Sequence, residues 1–190
     1  FTTSAVAGYL DIIDFSNPTN PSVISSVNIN PYGGVTSVAV KNGIVAVASP
    51  NADETLNGSI VFFNNNGTFL NQVTVGALPD MITFSPDGTK VMTANEGQPN
   101  TDYSIDPEGS VSIVDISGGI ASLSQSNVTT LLFTAYNTQE ATLIASGVRK
   151  LKSTSTLSQD FEPEYITISA DSQKAWVTLQ ENNAIAEINL

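Results

Sequence analysis

The chain has 190 residues, of which 41% are hydrophobic and 13% are charged, and its formal net charge is −12. It contains no Cys and no His, which excludes disulfides, thiolate nucleophiles, imidazole metal ligands and any Ser-His-Asp triad. The acidic excess argues against binding to nucleic acid or to an anionic membrane surface, and no apolar run is long enough to span a bilayer.

The polar positions are filled mainly by Ser, Thr and Asn, which suit strands and turns better than helices. We therefore expect an all-β fold. A Cys-free, acidic chain of this kind is typical of a bacterial protein outside the cell. No basic and apolar leader precedes Phe1, so the start is expected to be internal or processed.

Taken in order, the chain divides into units of short alternating strands separated by Gly, Pro and Asn turns. Residues 1–31 predict a partial unit, and residues 35–76 predict a complete four-stranded meander. Residues 78–133 repeat that meander, with Ser85-Pro86-Asp87-Gly88 as a hairpin turn. Residues 161–190 predict another partial unit.

The repeat has a period of about 50 residues, because Gly8, Gly58 and Gly109 precede equivalent strands at spacings of 50 and 51 residues. Four-stranded antiparallel units at such a period predict the blades of a β-propeller. The chain is therefore expected to be a fragment of a larger propeller. The alternative is a three-layer sandwich.

One segment, residues 134–160, departs from the repeat and predicts a helical insertion between blades. A helix is expected from Gln139 to Ser146, with Asn137 as N-cap, Glu140 three residues later and Gly147 at the end. Residues 153–158 (STSTLS) are expected to form a flexible polar connector.

Several long motifs in order, GALPDMITFSPDGTKVMTANEG, DYSIDPEGSVSIVDI, FTAYNTQEATLIASGVR and SQDFEPEYITISADSQKAWVTLQENNAIAEI, resemble the choice-of-anchor I family. This is a YVTN-type β-propeller group of bacterial secreted and cell-surface proteins. The resemblance covers essentially the whole chain. It implies a propeller of about seven blades, exported and tethered by variable C-terminal anchors, with the remaining blades as partners of this segment.

The propeller scheme places most acidic residues on one face, where loops surround the central channel, and Lys41, Lys90 and Lys174 on the opposite hairpins. That face is expected to attract cations. Its acidic residues are Asp53, Glu54, Asp80, Glu96, Asp102, Asp106, Glu108, Asp160, Glu162, Glu164 and Glu181.

A Ca²⁺ site is predicted in the loop that holds Asp102, Asp106 and Glu108, because hard cations bind six to eight oxygen ligands. Further oxygen donors are expected from Glu96, Asn95 and Asp80. The alternative is that Asp106 and Glu108 only cap turns and accept from loop amides.

Two other carboxylates, Glu162 and Glu164, flank Pro163. This Pro-Glu pair is equivalent to Pro79-Asp80 in the preceding unit. Paired carboxylates can perform acid–base chemistry, but repetition in every blade favours a structural role.

The basic cluster Arg149, Lys150 and Lys152 is expected to neutralise part of the acidic face, or else to form a solvated patch. Among the aromatic residues, Tyr103 is expected to be exposed and Trp176 to be packed in the core.

The favoured function is a noncatalytic binding or assembly module that engages an envelope or matrix protein or polysaccharide through its acidic face, with Ca²⁺ as the expected ion. The alternative is a metal-dependent phosphoesterase resembling alkaline phosphatase or phytase-type propellers. Phosphoryl chemistry needs cationic groups against the developing charge, and this face carries few.

Overall fold

Four antiparallel sheets follow one another along the chain in a computed structural model that describes residues 1–190. Each sheet is a simple meander in sequence order. The strands are β1 Thr2–Ser4, β2 Tyr9–Asp14, β3 Ser22–Asn28, β4 Ser37–Lys41, β5 Ile44–Ser49, β6 Asn57–Asn64, β7 Phe69–Ala77, β8 Pro79–Phe84, β9 Lys90–Asn95, β10 Ser110–Asp115, β11 Val128–Leu132, β12 Pro163–Ile168, β13 Lys174–Leu179 and β14 Ala184–Asn189.

The two middle sheets have four strands, β4–β7 and β8–β11, and the two outer sheets have three. Gly8, Gly58 and Gly109 stand at the start of β2, β6 and β10, so these strands are equivalent. The first sheet therefore contains the second to fourth strands of the repeat, and the last sheet contains the first to third.

Neighbouring sheets pack face to face through three apolar layers. In β5, Val45 and Val47 face the first sheet, whereas Ala46 and Ala48 face the third. Such alternation buries both faces of one strand, which is the arrangement of successive propeller blades. The all-β propeller prediction is confirmed.

Two glycines allow this close packing of blades. A Cβ on Gly109 would lie 1.9 Å from the Phe161 carbonyl oxygen, and one on Gly58 would lie 2.5 Å from Cδ of Pro79. A side chain at either position would collide with the next blade, so the backbone can approach only because the residue is glycine.

The insertion contains helix α1, Glu140–Ala145, which confirms the predicted helix. Its N-terminus differs from the prediction, because a 3-10 turn over Thr134–Gln139 precedes it and Gln139 is the N-cap. Asn137 instead bonds Ser158, accepting from the backbone N–H at 2.8 Å and donating to Oγ at 3.0 Å.

The predicted flexible connector is wrong in its second half. Leu157–Asp160 forms helix α2, and Thr156 and Gln159 make a reciprocal capping box at its start. Ser155 and Ser158 are buried and hydrogen-bonded to acidic residues of the loop between β9 and β10. The polar composition reflects a buried hydrogen-bond network rather than mobility.

Trp176 is half-exposed, so its predicted core position is wrong. In β13 the residues Ala175, Val177 and Leu179 face the third sheet and are buried there. Trp176 lies on the opposite face, and its Nε1–H donates to Glu187 Oε2 at 3.1 Å. No helix in the chain has the length and apolar character needed to cross a membrane.

Candidate functional site

Three carboxylates from two neighbouring blades meet where β8, β9 and β12 contact one another. Asp80 lies in β8, Glu96 directly follows β9, and Glu164 lies in β12. One carboxylate oxygen of each lies within 4.8 Å of the other two. The spacing suits a single cation bridging all three side chains.

Two β-bulges bring Asp80 and Glu164 to this point. The pairing of β8 with β9 shifts register between Pro79 and Met81, and the pairing of β12 with β13 shifts between Pro163 and Tyr165. The extra residues are Asp80 and Glu164 themselves. A bulge redirects the side chain that it carries, and bulges are common beside functional sites.

Glu96 is held beside Asp80 by the backbone. Its N–H donates to the Leu78 carbonyl oxygen at 2.9 Å, and the N–H of Gly97 donates to that of Ala77 at 3.1 Å. Gly97 has φ of 67°, a left-handed conformation that glycine adopts without strain. The chain therefore turns immediately after Glu96, and the side chain points back into the carboxylate group.

The Glu96 side chain is the most buried of the three, because only 8% of the residue is exposed. No backbone amide, hydroxyl or cationic side chain donates a hydrogen bond to its carboxylate. Burial, then the charges of Asp80, Glu164 and Glu162, raise the pKa of Glu96 to about 8, and a hydrogen bond shared with Glu164 adds to the effect. A buried carboxylate of this kind requires a proton or a cation.

The pKa values of the neighbouring acids are raised as well. Burial raises the pKa of Asp80, and burial together with the charges of Asp80 and Glu181 raises that of Glu164. Burial and then the charge of Glu181 raise the pKa of Glu162 to about 7. The site therefore concentrates carboxyl groups that form no ion pair within the protein, so that bound protons or a cation must relieve their repulsion.

The predicted loop ligands are placed differently. Asp102 is exposed and accepts from the Ser104 N–H at 3.0 Å and Oγ at 2.7 Å, and these bonds lower its pKa. Asp106 accepts from Ser155 Oγ, and Glu108 accepts from Ser158 Oγ at 3.1 Å. Each of these acids has its own hydrogen-bond donors, and none belongs to the three-carboxylate group.

Asn95, also predicted as a ligand, has its side chain in the seam between the second and third blades. Its Nδ2 donates to Ser110 Oγ at 3.1 Å and to Ser112 Oγ at 3.0 Å, whereas its buried Oδ1 has no protein partner. Of the predicted metal ligands, the structure therefore brings together Asp80 and Glu96. It adds Glu164, which the sequence placed on the acidic face and paired with Glu162 but did not predict as a metal ligand.

The three residues of the basic cluster each contact a different partner. Arg149 Nη2 lies 3.6 Å from Glu181 Oε2, as expected for neutralisation of the acidic face. Lys150 instead pairs with Glu140 of α1 at 2.7 Å. Lys152 lies over the ring of Tyr103, which is exposed as predicted.

Sequential meanders packed face to face define this chain as part of a β-propeller, and the comparisons agree. It resembles Kuenenia stuttgartiensis hydrazine synthase (TM-score 0.59, 10% identity, 97% of this chain and 47% of that chain). It also resembles a protein from Lactobacillus plantarum (TM-score 0.57, 13% identity, 98% and 48%). The chain thus spans about half the length of these solved chains.

The family assignment is direct. The profile of the Choice-of-anchor I domain matches residues 1–190, and the chain belongs to that family. No curated protein matches the chain in sequence.

Proposed function

We propose that this chain is part of a cell-surface or secreted binding module that takes Ca²⁺ at Asp80, Glu96 and Glu164. The observation that carries the proposal is the Glu96 carboxylate, which is buried, receives no donor and faces two further carboxylates within 4.8 Å. With the ion bound, the acidic face would engage a protein or polysaccharide of the envelope or matrix.

The ligand set suits calcium. Ca²⁺ takes six to eight oxygen atoms in flexible geometry, whereas Mg²⁺ demands a nearly ideal octahedron and retains water. Three carboxylates offer up to six oxygens, and none of them comes from a Cys or His side chain, which transition metals prefer. Ligands on two blades also mean that the ion would fix one blade relative to the next.

Phosphoester hydrolysis is less well supported. Developing phosphoryl charge needs a free Lys or Arg near the metal. Arg149 and Lys150 are engaged with Glu181 and Glu140, and Lys152 lies on Tyr103. Membership of the Choice-of-anchor I family and the acidic, Cys-free composition support a location outside the cell.

Calorimetric titration with CaCl₂ and with MgCl₂ tests the proposal. We expect one Ca²⁺ site in the wild-type protein, weaker binding of Mg²⁺, and a loss of Ca²⁺ affinity of tenfold or more in Glu96→Gln. Asp102→Asn is the matched control, since it removes an acidic charge whose carboxylate is held by Ser104. Equal losses in both variants, or no binding by the wild type, would reject the site.

A further inference from the structure

Lys152 lies in an aromatic and acidic pocket beside the carboxylate group. Its Nζ lies 3.3 Å from the centroid of the Tyr103 ring. Asp106 and Glu162 also line the pocket, beside which a cavity of about 30 Å³ remains. None of the three ion pairs in the chain involves Lys152. Its ammonium group contacts the face of the Tyr103 ring instead of a carboxylate.

The walls of this pocket are fixed by hydrogen bonds that do not depend on the Lys152 ammonium group. The backbone N–H of Lys152 donates to Asp160 Oδ1 at 2.8 Å. Asp106 is held on two sides, because its carboxylate accepts from Ser155 and its carbonyl accepts from Gln159 Nε2 at 2.8 Å. The pocket should therefore keep its shape when the Lys152 side chain leaves.

Tyr103 is held in an unfavourable backbone conformation. Its φ is 57°, in the left-handed region that is unfavourable for a residue other than glycine. The turn is fixed by the Tyr103 N–H, which donates to the Asn100 carbonyl oxygen at 2.9 Å, and by Asn100 Nδ2, which donates to Ser104 Oγ at 2.9 Å. The loop thus presents an aromatic ring that is 50% exposed.

The chemistry of the pocket defines its ligand. An aromatic face attracts a cation through its quadrupole, and carboxylates at the rim strengthen that attraction. Acidic side chains are in excess here, because Asp106, Asp160 and Glu162 line the pocket and Lys152 is the one cationic side chain among its lining residues. One lysine side chain neutralises only part of this charge.

We infer that the Tyr103 pocket is a recognition site for the ammonium group of a lysine side chain on a protein partner, and that Lys152 occupies it in the free protein. Lys152 is then an internal competitor that the partner's lysine displaces. The inference deepens the proposed binding role of the acidic face. It uses side chains other than Asp80, Glu96 and Glu164, so its test and the calcium test can fail separately.

The experiment uses N-acetyl-lysine methylamide as the probe and N-acetyl-norleucine methylamide as its neutral control, with binding followed by NMR titration. Lys152→Ala empties the pocket, and we expect it to bind the lysine probe roughly tenfold more tightly than the wild type, which corresponds to about 1.4 kcal/mol. Tyr103→Leu in the Lys152→Ala background should remove the gain. The norleucine probe should bind neither variant.

A second measurement needs only the wild-type protein. The ε-methylene protons of Lys152 should be shifted upfield by the Tyr103 ring, and a saturating lysine probe should return them toward the position of a free lysine. No gain in Lys152→Ala, equal binding of norleucine, or an unshifted Lys152 resonance would each overturn the inference. Retained Ca²⁺ affinity in both variants would show that the carboxylate group is intact.

Discussion

Nδ2 of Asn182 lies 3.0 Å from Oδ2 of Asp160, and both residues are buried. The same amide donates to the carbonyl oxygens of Asp160 at 2.9 Å and Arg149 at 3.1 Å. Asp160 also accepts from the N–H of Leu151 at 2.9 Å. This contact joins α2, the end of the insertion and the turn after β13, and so it fixes the entry to β12 that carries Glu164.

Removal of the Asn182 amide should therefore destabilise the last blade. We expect Asn182→Ala to lower the free energy of unfolding by about 2–3 kcal/mol, because it leaves two buried acceptors of Asp160 and the partly buried carbonyl of Arg149 without that donor. Urea denaturation measures the loss. Asn189→Ala is the control, since Asn189 is exposed at the end of β14 and should change stability by less than about 0.5 kcal/mol. If both substitutions change the free energy of unfolding by the same small amount, the buried contact of Asn182 contributes nothing to stability.

The close approach at Gly109 gives a second prediction. Gly109→Ala should lower the free energy of unfolding by about 3 kcal/mol, because the new Cβ would meet the Phe161 carbonyl oxygen and force the third and fourth blades apart. Gly118→Ala is the control, because it makes the same chemical change but its new Cβ would have only Ser122 Oγ nearby, at 3.4 Å. Its effect on the thermal midpoint should be small or slightly favourable. A Gly109→Ala protein as stable as the wild type would contradict the blade packing described here.

The raised pKa of Glu96 predicts how stability depends on pH in the presence of EDTA. The folded protein holds a proton that the unfolded chain loses above its ordinary pKa of 4.5, so the stability from Glu96 is complete below pH 4.5. It is lost as the pH rises through about 8.

Comparison with Glu96→Gln isolates this effect from the other acids. As the pH rises from 5 to 9, the free energy of unfolding of the variant should increase relative to that of the wild type by on the order of 1–3 kcal/mol. Screening by water limits this difference. Urea denaturation at several pH values provides the measurement. A difference in stability that stays constant with pH would show that Glu96 titrates normally.

The blades could be predicted from sequence because their signals are local and repeated. Period-two alternation marks the strands, and Gly58 and Gly109 recur at one position of the repeat. Helix α2 carried a signal as well, since Thr156 and Gln159 have the spacing of a capping box. The Ser and Thr content of that segment favoured a connector, although its polar groups are satisfied by the acidic loop.

The carboxylate group was harder to predict than the fold. The loop acids Asp102, Asp106 and Glu108 are close in sequence, but each is satisfied by a nearby Ser. Glu96 and Glu164 are distant in sequence and meet because two blades pack together and two bulges redirect the side chains. The equivalence of Asp80 and Glu164 in the repeat was visible, whereas the bulges have no comparable sequence signature.

Proton release on Ca²⁺ binding tests the central claim most directly. A cation bound at Asp80, Glu96 and Glu164 must displace the proton that Glu96 carries below its pKa of about 8. Titration calorimetry in buffers of different ionisation enthalpy should show about one proton released per Ca²⁺ near pH 6.5, and almost none near pH 9.5. Glu96→Gln should abolish the release, whereas Asp102→Asn should leave it unchanged. Ca²⁺ binding without proton release at pH 6.5, or with the same release in Glu96→Gln, would contradict the account.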